Sequence, residues 1–248
     1  MNKIIDKKML SENVAQLIVE APQIAKKRKA GHFVIVRVDE KGERIPLTIS
    51  SADIEKGTIT LILQKVGVSS SKIASLNAGD YLHDVVGPLG KATHIEKFGT
   101  VLCCGGGVGV APLLYMGAVM KEKGLEPTFL LGARSAGDLL QLDKFKALGR
   151  VFVTTEDGSE GEKGFVTQHS LLQQEKFTQI SVCGPKPMMV AVARYAKSVD
   201  TPCEVSLENM MACGLGACLC CVEDTEMGNV CVCKEGPVFD IKKLKWQI

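Results

Sequence analysis

The chain has 248 residues, of which 46% are hydrophobic and 23% are charged, and its formal net charge is +2. This balance is typical of a globular chain long enough for two modest domains, and it offers no basic or acidic excess for nucleic acid or a membrane surface. Because no apolar run reaches the roughly 18 residues of a membrane span and the charged N-terminus has no apolar signal core, we expect a cytoplasmic protein.

Residues 1–97 are predicted to form an antiparallel β-barrel. Short runs of apolar and β-branched residues occur at Val14–Glu20, at residues 32–39 and at Thr58–Gln64, each bounded by glycine, proline or charged turns. Regular short strands with such turns are typical of a small barrel. Residues 70–76 are predicted to form a short helix inside it.

Residues 98–200 are predicted to form a doubly wound parallel α/β sheet. Strand and helix patterns alternate along this part of the chain, which indicates parallel strands with helices on both faces. The predicted strands are residues 99–104, 127–132, 151–154 and 179–183, and the predicted helices are residues 111–123, 140–148, 166–174 and 187–197.

A glycine-rich turn joins the first strand of this sheet to its first helix. Its glycines are Gly105, Gly106, Gly107 and Gly109. Such a turn lets a dinucleotide pyrophosphate approach backbone N–H groups at the N-terminus of a helix. Val110 stands where the G-x-G-x-x-G fingerprint has its third glycine, so the turn taken alone is also compatible with a simple tight connection.

Two later loops strengthen the nucleotide interpretation. Arg134 follows a predicted strand and supplies a cation for a ribose or phosphate, while Cys183, Gly184 and Pro185 end another strand and open a helix. Ligands of open α/β sheets bind at the carboxyl ends of the strands, so we expect the three loops to converge there. Cys183 is either a buried apolar cysteine or a contact to a nicotinamide ring.

The C-terminal segment, residues 201–248, is rich in cysteine and has little apolar periodicity. Six of the ten cysteines fall between positions 213 and 233. A reducing compartment argues against a disulfide framework, and dense cysteines in such a compartment more often bind metal. A metal centre could organise a segment that cannot build a large core.

The spacing Cys213-x4-Cys218-x2-Cys221 matches the plant-type iron–sulfur pattern, in which a distant fourth cysteine completes the set. Soft thiolate ligands suit iron in such clusters. Spacing alone leaves Cys231 and Cys233 as candidates for the fourth ligand. A structural zinc site is the alternative, although zinc sites usually use two C-x2-C pairs or histidines.

These motifs resemble a known family. The barrel, the turn GGGVGVAPL and the loop CGPKPMM follow the order of the ferredoxin-NADP reductase superfamily, and the tail, LENMMACGLGACLCC followed by CKEGPVFD, is similar to the electron-transfer subunits of NAD-dependent dihydroorotate dehydrogenase. The resemblance implies FAD in the barrel, NAD in the α/β domain and a 2Fe-2S cluster in the C-terminal segment. In that family two residues separate the fourth ligand from a Gly-Pro-Val-Phe segment, which favours Cys233 over Cys231.

The resemblance also implies a flavin site in the barrel. The residues that it assigns to FAD are Arg44, Pro46, Leu47, Thr48, Ile62, Leu63, Gln64, Gly67, Ser69 and Ser70. Leu47 and Thr48 match the end of the superfamily motif Arg-x-(Tyr or aliphatic)-(Ser/Thr). Arg44 lies one residue further upstream than the motif requires, so it either contacts the pyrophosphate or is a surface cation. Ser69 replaces the second glycine of the pyrophosphate loop.

The resemblance implies a function in pyrimidine biosynthesis. A separate FMN-containing catalytic subunit would oxidise dihydroorotate to orotate, and electrons would pass from FMN through the cluster and FAD to NAD+, in a heterotetramer of two copies of each chain. The segments GHFVIVRVDEKGERIPLTI and FVTTEDGSEGEKGF also resemble a subunit of NADH-dependent ferredoxin-NADP oxidoreductase, which is the alternative. A zinc-stabilised nucleotide-binding regulator would be a different class of protein.

Overall fold

The computed structural model describes residues 1–95 and 99–248, so the predicted domain boundary between residues 97 and 98 lies outside the described residues. The chain divides into two compact units. The first unit comprises Met1–Thr93 and Leu207–Pro237, and the second comprises His94–Ser206 and Val238–Ile248. Residues 201–248 are therefore shared between the units, with the cysteine-rich part in the first.

The barrel of the first unit is built from a seven-stranded sheet. Its strands are β1 (Asn2–Ser11), β2 (Val14–Glu20), β3 (Phe33–Arg37), β4 (Ile45–Asp53), β5 (Thr58–Gln64), β6 (Tyr81–Leu82) and β7 (Asp84–Leu89). The order is β6-β1-β2-β5-β4-β3-β7, and every neighbouring pair is antiparallel. Two short helices, α1 (Pro22–Lys27) and α2 (Val68–Ser75), accompany it. The predicted antiparallel β-barrel is confirmed.

The barrel encloses a core of aliphatic side chains from its strands. Leu17, Ile49, Ile59 and Leu61 are each at most 1% exposed. The apolar run in β5 places nearly every side chain away from water, which explains why its pattern predicted a strand. Strand β1 buries only Ile4, so its charged sequence carried no comparable signal.

The second unit contains an α/β sheet. Its strands are β8 (Val101–Gly106), β9 (Thr128–Ala133), β10 (Arg150–Thr155), β11 (Glu162–Lys163), β12 (Gln179–Cys183), β13 (Cys203–Ser206) and β16 (Val238–Asp240). Its helices are α3 (Val110–Glu122), α4 (Leu142–Lys146), α5 (Leu171–Gln174) and α6 (Lys186–Ser198). None of the helices in the described ranges is long and apolar enough to cross a membrane.

The strand order of this sheet is β11-β10-β9-β8-β12-β13-β16. All neighbours are parallel except β13 and β16. From β8 the chain adds strands first on one side and then, beginning with β12, on the other. The predicted doubly wound sheet is confirmed, and its topological switch point lies between β8 and β12, where such sheets bind ligands.

The helix predicted over residues 166–174 is broken in the structure. A 3-10 turn covers Val166–Gln168, and α5 begins only at Leu171. Between them the Leu171 N–H donates to Nδ1 of His169 at 3.0 Å, and the Ser170 N–H donates to Glu162 at 2.9 Å. Side-chain acceptors thus take N–H groups that a continuous helix would pair with its own carbonyls.

The cysteine-rich part of the chain packs within the first unit. It contains the antiparallel hairpin of β14 (Val222–Thr225) and β15 (Gly228–Cys231), followed by the short helix α7 (Val232–Glu235). The Lys91 N–H donates to the Gly236 carbonyl at 2.6 Å, which ties the end of this segment to the chain that leaves the barrel.

Phe129 tests the core of the second unit. It is fully buried, and its ring meets that of Phe145 edge-on at 4.8 Å. We expect Phe129→Ala to lower the free energy of unfolding by about 3–5 kcal/mol, because the lost ring leaves a cavity. The control is Phe165→Ala at a side chain that is 59% exposed, for which a change within about 0.5 kcal/mol is expected. Denaturant unfolding of both variants measures this, and equal losses would contradict it.

Candidate cofactor sites

Cys213 opens the cysteine loop, and its sulfur accepts two backbone hydrogen bonds. The N–H groups of Leu215 and Cys218 lie 3.3 and 3.4 Å from its Sγ atom. These hydrogen bonds lower the pKa of the Cys213 thiol to about 6, and the bond from Leu215 has the largest effect. The lowered pKa favours the thiolate of Cys213, the form that binds metal.

Cys221 and Cys233 supply two buried sulfurs to the same loop. Their side chains are 1% and 2% exposed. The Cys233 N–H donates to Sγ of Cys221 at 3.4 Å, and the Gly216 N–H donates to Sγ of Cys233 at 3.1 Å. Burial raises the pKa of the free Cys233 thiol to about 12, a cost that a bound cation removes because a coordinating thiol is deprotonated outright.

Cys231 lies in the same region but makes a different contact. Its thiol points to the Gly216 carbonyl oxygen, 3.7 Å away, as a donor. A thiolate at that place would face the negative end of a carbonyl dipole, whereas Sγ of Cys233 faces an N–H group. This difference favours Cys233 over Cys231 as the fourth ligand. Cys220 is exposed.

The donor set fits a two-iron cluster. In the described ranges, no three His, Cys, Asp or Glu side chains are grouped closely enough to hold a single metal ion. A 2Fe-2S cluster needs no such group, because its four cysteines are divided between two irons. The N–H groups aimed at the sulfurs are the kind of outer-shell donors that tune such a cluster.

The cysteine loop lies directly on the barrel. At Gly214, where φ is +74°, a Cβ atom would stand 2.6 Å from the Leu89 side chain and 2.8 Å from the Ile35 side chain. These residues belong to β7 and β3. Only glycine combines the left-handed backbone with so close an approach. The loop is therefore held against the barrel wall immediately after its first cysteine.

Arg44 makes a second link between the barrel and the loop. Its Nε atom donates to the Ala212 carbonyl at 2.6 Å. Its Nη1 atom lies 3.8 Å from the Asp84 carboxylate. The sequence predicted Arg44 as a flavin contact, and that role stays a prediction. The contact to Ala212 was missed because the two residues are 168 positions apart and no local pattern connects them.

The barrel residues that were predicted to hold FAD lie on two neighbouring strands. Pro46, Leu47 and Thr48 lie on β4, where they pair with β3 and are half-buried. On β5, residues 58–61 pair with β4, and residues 62–64 extend beyond the end of that pairing. On the opposite edge of the strand, residues 62–64 pair with β2. These residues could meet a flavin through their backbone, since the Ile62 and Leu63 side chains are in the interior.

The predicted pyrophosphate loop leads into α2. The Ser70 hydroxyl accepts the Gly67 N–H at 3.0 Å, and the Ser69 hydroxyl donates to Glu43 at 2.6 Å. Both hydroxyls thus already serve protein contacts, which leaves the backbone at the start of the helix for an anion. An open groove beside it is lined by Lys65 and Lys72, and the Lys72 ammonium lies 3.5 Å from the Asp39 carboxylate.

In the second unit the glycine turn and the 183–185 loop meet at the switch point. A Cβ atom on Gly109 would stand 2.5 Å from the Gly184 nitrogen and 2.6 Å from the Cys183 carbonyl oxygen. At Gly106 a Cβ atom would stand 2.5 Å from the sulfur of Met188. A Cβ atom on Gly107 would instead face open space. The turn is packed against one loop and open at its tip.

Arg134 and Cys183 complete this edge of the sheet. The exposed Arg134 directly follows β9, the other neighbour of β8. Cys183 is 1% exposed at the end of β12, and its Sγ atom lies 3.7 Å from the Ser206 carbonyl oxygen. The three predicted loops therefore do end side by side. The buried-cysteine alternative for Cys183 has the support of this burial, and its contact to a nicotinamide stays a prediction.

Comparison with known families assigns each part of the chain. The oxidoreductase FAD-binding domain matches residues 2–94, the oxidoreductase NAD-binding domain matches residues 103–194, and the iron-sulfur cluster binding domain of dihydroorotate dehydrogenase B matches residues 208–245. The electron transfer subunit of dihydroorotate dehydrogenase B (NAD(+)) from Shouchella clausii is 36% identical over 96% of this chain and 95% of that protein. The chain belongs to the dihydroorotate dehydrogenase B electron transfer subunit family.

Two further relatives bear on the assignment. The electron transfer subunit homolog of dihydroorotate dehydrogenase B from Thermotoga maritima is 36% identical over 99% of this chain and 88% of that protein. The solved structure of an NADH-dependent reduced ferredoxin-NADP oxidoreductase is 35% identical, with a TM-score of 0.94 over 99% of this chain and 90% of that chain. The resemblance inferred from the motifs is confirmed. The matched domains also confirm that the chain binds FAD, NAD and an iron–sulfur cluster.

Gly109→Ala tests the switch point. The added methyl group would overlap the 183–185 loop, so we expect at least a tenfold loss of NADH affinity with FAD content unchanged, measured by isothermal titration. Gly137→Ala is the control, because an added Cβ atom would stand an ordinary 3.8 Å from Oγ of Ser135. Equal NADH affinity in the two variants would contradict a nucleotide site at this turn.

Cys233→Ser and Cys231→Ser separate the two candidate ligands. We expect Cys233→Ser to lose most of the iron and the visible absorption of the cluster, while Cys231→Ser keeps both. Of these two cysteines, Cys233 accepts an N–H bond at its sulfur, whereas the Cys231 thiol faces a carbonyl oxygen. Iron analysis of anaerobically purified protein measures this. The assignment is wrong if Cys231→Ser is the variant that loses iron.

Proposed function

We propose that this protein transfers electrons from an FMN-containing catalytic subunit, which oxidises dihydroorotate to orotate, to NAD+. Dihydroorotate would lose two electrons and two protons, and NAD+ would take up two electrons and one proton as NADH. The single observation that carries the proposal is the set of N–H-bonded cysteine sulfurs held on the wall of a flavin-type barrel. The family's relatives, which are named for this electron transfer, support the same assignment.

When bound, FAD and the cluster would carry the electrons, and this chain would hold the two cofactors in position. For the cluster we assign Cys213, Cys218, Cys221 and Cys233 as ligands. Support comes from their spacing and from the N–H groups directed at three of these sulfurs. Backbone N–H donors favour the thiolate form and help to set the potential of a bound cluster.

The flavin and nucleotide would be held mainly by backbone groups. For FAD we assign Arg44, Pro46, Leu47, Thr48, Ile62, Leu63, Gln64, Gly67, Ser69 and Ser70. For NAD we assign Gly105, Gly106, Gly107, Gly109, Arg134, Cys183, Gly184 and Pro185. The free end of β5, the start of α2 and the carboxyl ends of β8, β9 and β12 support these assignments, because each leaves backbone groups available to a ligand.

The partner would approach the cysteine loop. Cys218 is exposed, and the neighbouring Leu215 and Leu219 side chains are 69% and 65% exposed. Apolar side chains around an exposed ligand suit a protein surface that excludes water from the electron path. We infer a heterotetramer with two copies of each chain. None of the ten cysteines, all of which lie in the described ranges, forms a disulfide, which fits the reducing cytoplasm.

A second function has specific support. The similarity to the NADH-dependent reduced ferredoxin-NADP oxidoreductase covers nearly the whole of both chains. A subunit of such a reductase would use the same FAD, cluster and nucleotide domains with a different partner. The two functions therefore differ in what supplies the electrons, and the partner bound in the native host distinguishes them.

The test is dihydroorotate-dependent reduction of NAD+ by protein purified anaerobically from its native host with partners attached. We expect activity in the wild type. We expect Cys218→Ser to lose at least 90% of it while keeping NADH oxidation by an artificial acceptor at the flavin, because only the partner's electrons need the cluster. Cys220→Ser is the matched control and should keep both activities.

Other outcomes would correct the proposal. A coloured preparation that contains flavin and iron but does not respond to dihydroorotate would move the assignment to the ferredoxin-linked reductase. Loss of both activities in Cys218→Ser would indicate that the cysteine acts through folding.

A further inference from the structure

Arg44 stands where the two redox parts of the first unit join. It directly precedes β4, the strand that carries the proposed flavin residues 46–48. Its guanidinium donates to the carbonyl of Ala212, the residue before Cys213. One side chain therefore connects the flavin strand to the peptide that leads into the first proposed cluster ligand.

The contact is short and charge-assisted. The distance from Nε to the Ala212 oxygen is 2.6 Å, and a cationic donor makes a stronger bond than a neutral one. It fixes the plane of the peptide between Ala212 and Cys213. The packing of Gly214 on β3 and β7 holds the loop on the other side of Cys213. The position of this cysteine is thus set from both sides.

The charge of Arg44 is also not cancelled by its acidic neighbour. Asp84 is bound closely by Arg37, at 2.7 Å from Nε and 2.6 Å from Nη2. The distance from Asp84 to Nη1 of Arg44 is longer, at 3.8 Å. One carboxylate therefore faces two guanidinium groups, which leaves one positive charge among these three side chains.

We propose that Arg44 is a positioning residue that fixes the cluster loop against the flavin strand and, through its positive charge, raises the reduction potential of the cluster. This inference rests on the proposed cluster in the loop 213–233. Reduction adds a negative charge to the cluster, and a nearby cation stabilises that charge. Because the Arg44 side chain is 32% exposed, salt screens part of the effect.

The experiment compares Arg44→Gln, Arg44→Lys and Arg37→Gln in the holoprotein. Arg44→Gln removes the charge, and Arg44→Lys keeps the charge but loses the planar fork. Arg37→Gln is the matched control, because Arg37 binds the same carboxylate on the same barrel and donates its other hydrogen bond to the Glu40 carbonyl. The midpoint potential of the cluster is measured by redox titration with electron paramagnetic resonance, together with FAD content and the rate of iron loss to a chelator.

We expect Arg44→Gln to shift the equilibrium of the cluster toward its oxidised form several-fold more than Arg37→Gln does. A tenfold shift corresponds to about 59 mV for one electron. The difference should shrink in high salt. Arg44→Lys should keep a potential near that of the wild type but lose iron several-fold faster, since the loop is held less firmly. The Lys variant also keeps the test informative if the Gln variant does not fold.

Equal potentials in Arg44→Gln and Arg37→Gln would overturn the electrostatic role, and an unchanged rate of iron loss in Arg44→Lys would overturn the positioning role. Loss of FAD with an unchanged cluster potential would overturn the inference in favour of a pyrophosphate contact. A wild-type protein without a 2Fe-2S signal would instead overturn the proposed function, so the two failures are distinguishable.

Discussion

The packing of the cysteine segment in the first unit depends on placing cysteine sulfurs next to backbone N–H groups. Cys213 receives two such groups from its own loop, and this is possible only if the chain turns sharply right after it. The turn at Gly214 brings the loop so close to the barrel that no side chain fits between them. The N–H contacts to the sulfur and the close packing on β3 and β7 therefore depend on the same turn.

The same need explains a strained residue in the loop. Leu219 lies between Cys218 and Cys221 and has a φ of +56°, a left-handed conformation that costs a non-glycine residue free energy. The two cysteines, which we propose as ligands, are only three positions apart and would have to turn their side chains toward a common centre, which an extended chain with alternating side chains does not allow. The strain fits the spacing of the proposed ligands, and the apolar Leu219 side chain is 65% exposed.

The features that could be predicted from the sequence were those whose signal is local. The x4 and x2 spacings, the glycine turn and the strands β2, β5 and β12 each carry their own pattern, and their bounds were predicted well. β1 was missed because it buries little, and the helix over residues 166–174 was broken by side-chain acceptors. The contact of Arg44 with Ala212 depends on the tertiary fold. The motif alone therefore predicted Arg44 only as a contact to the flavin pyrophosphate or as a surface cation.

The ten cysteines show how environment selects ligands from a common residue type. Burial raises the pKa of the Cys103 thiol and of the Cys203 thiol to about 12. Within the described ranges, no N–H group donates to either sulfur, so both thiols stay protonated in the apolar core. Burial raises the pKa of Cys233 as well, but there the Gly216 N–H lowers it in part. A buried cysteine can thus serve as a ligand when the surrounding backbone supplies donors to its sulfur and other thiols lie beside it. By that criterion the iron site belongs to the loop on the barrel, and the cysteines of the α/β sheet belong to its core.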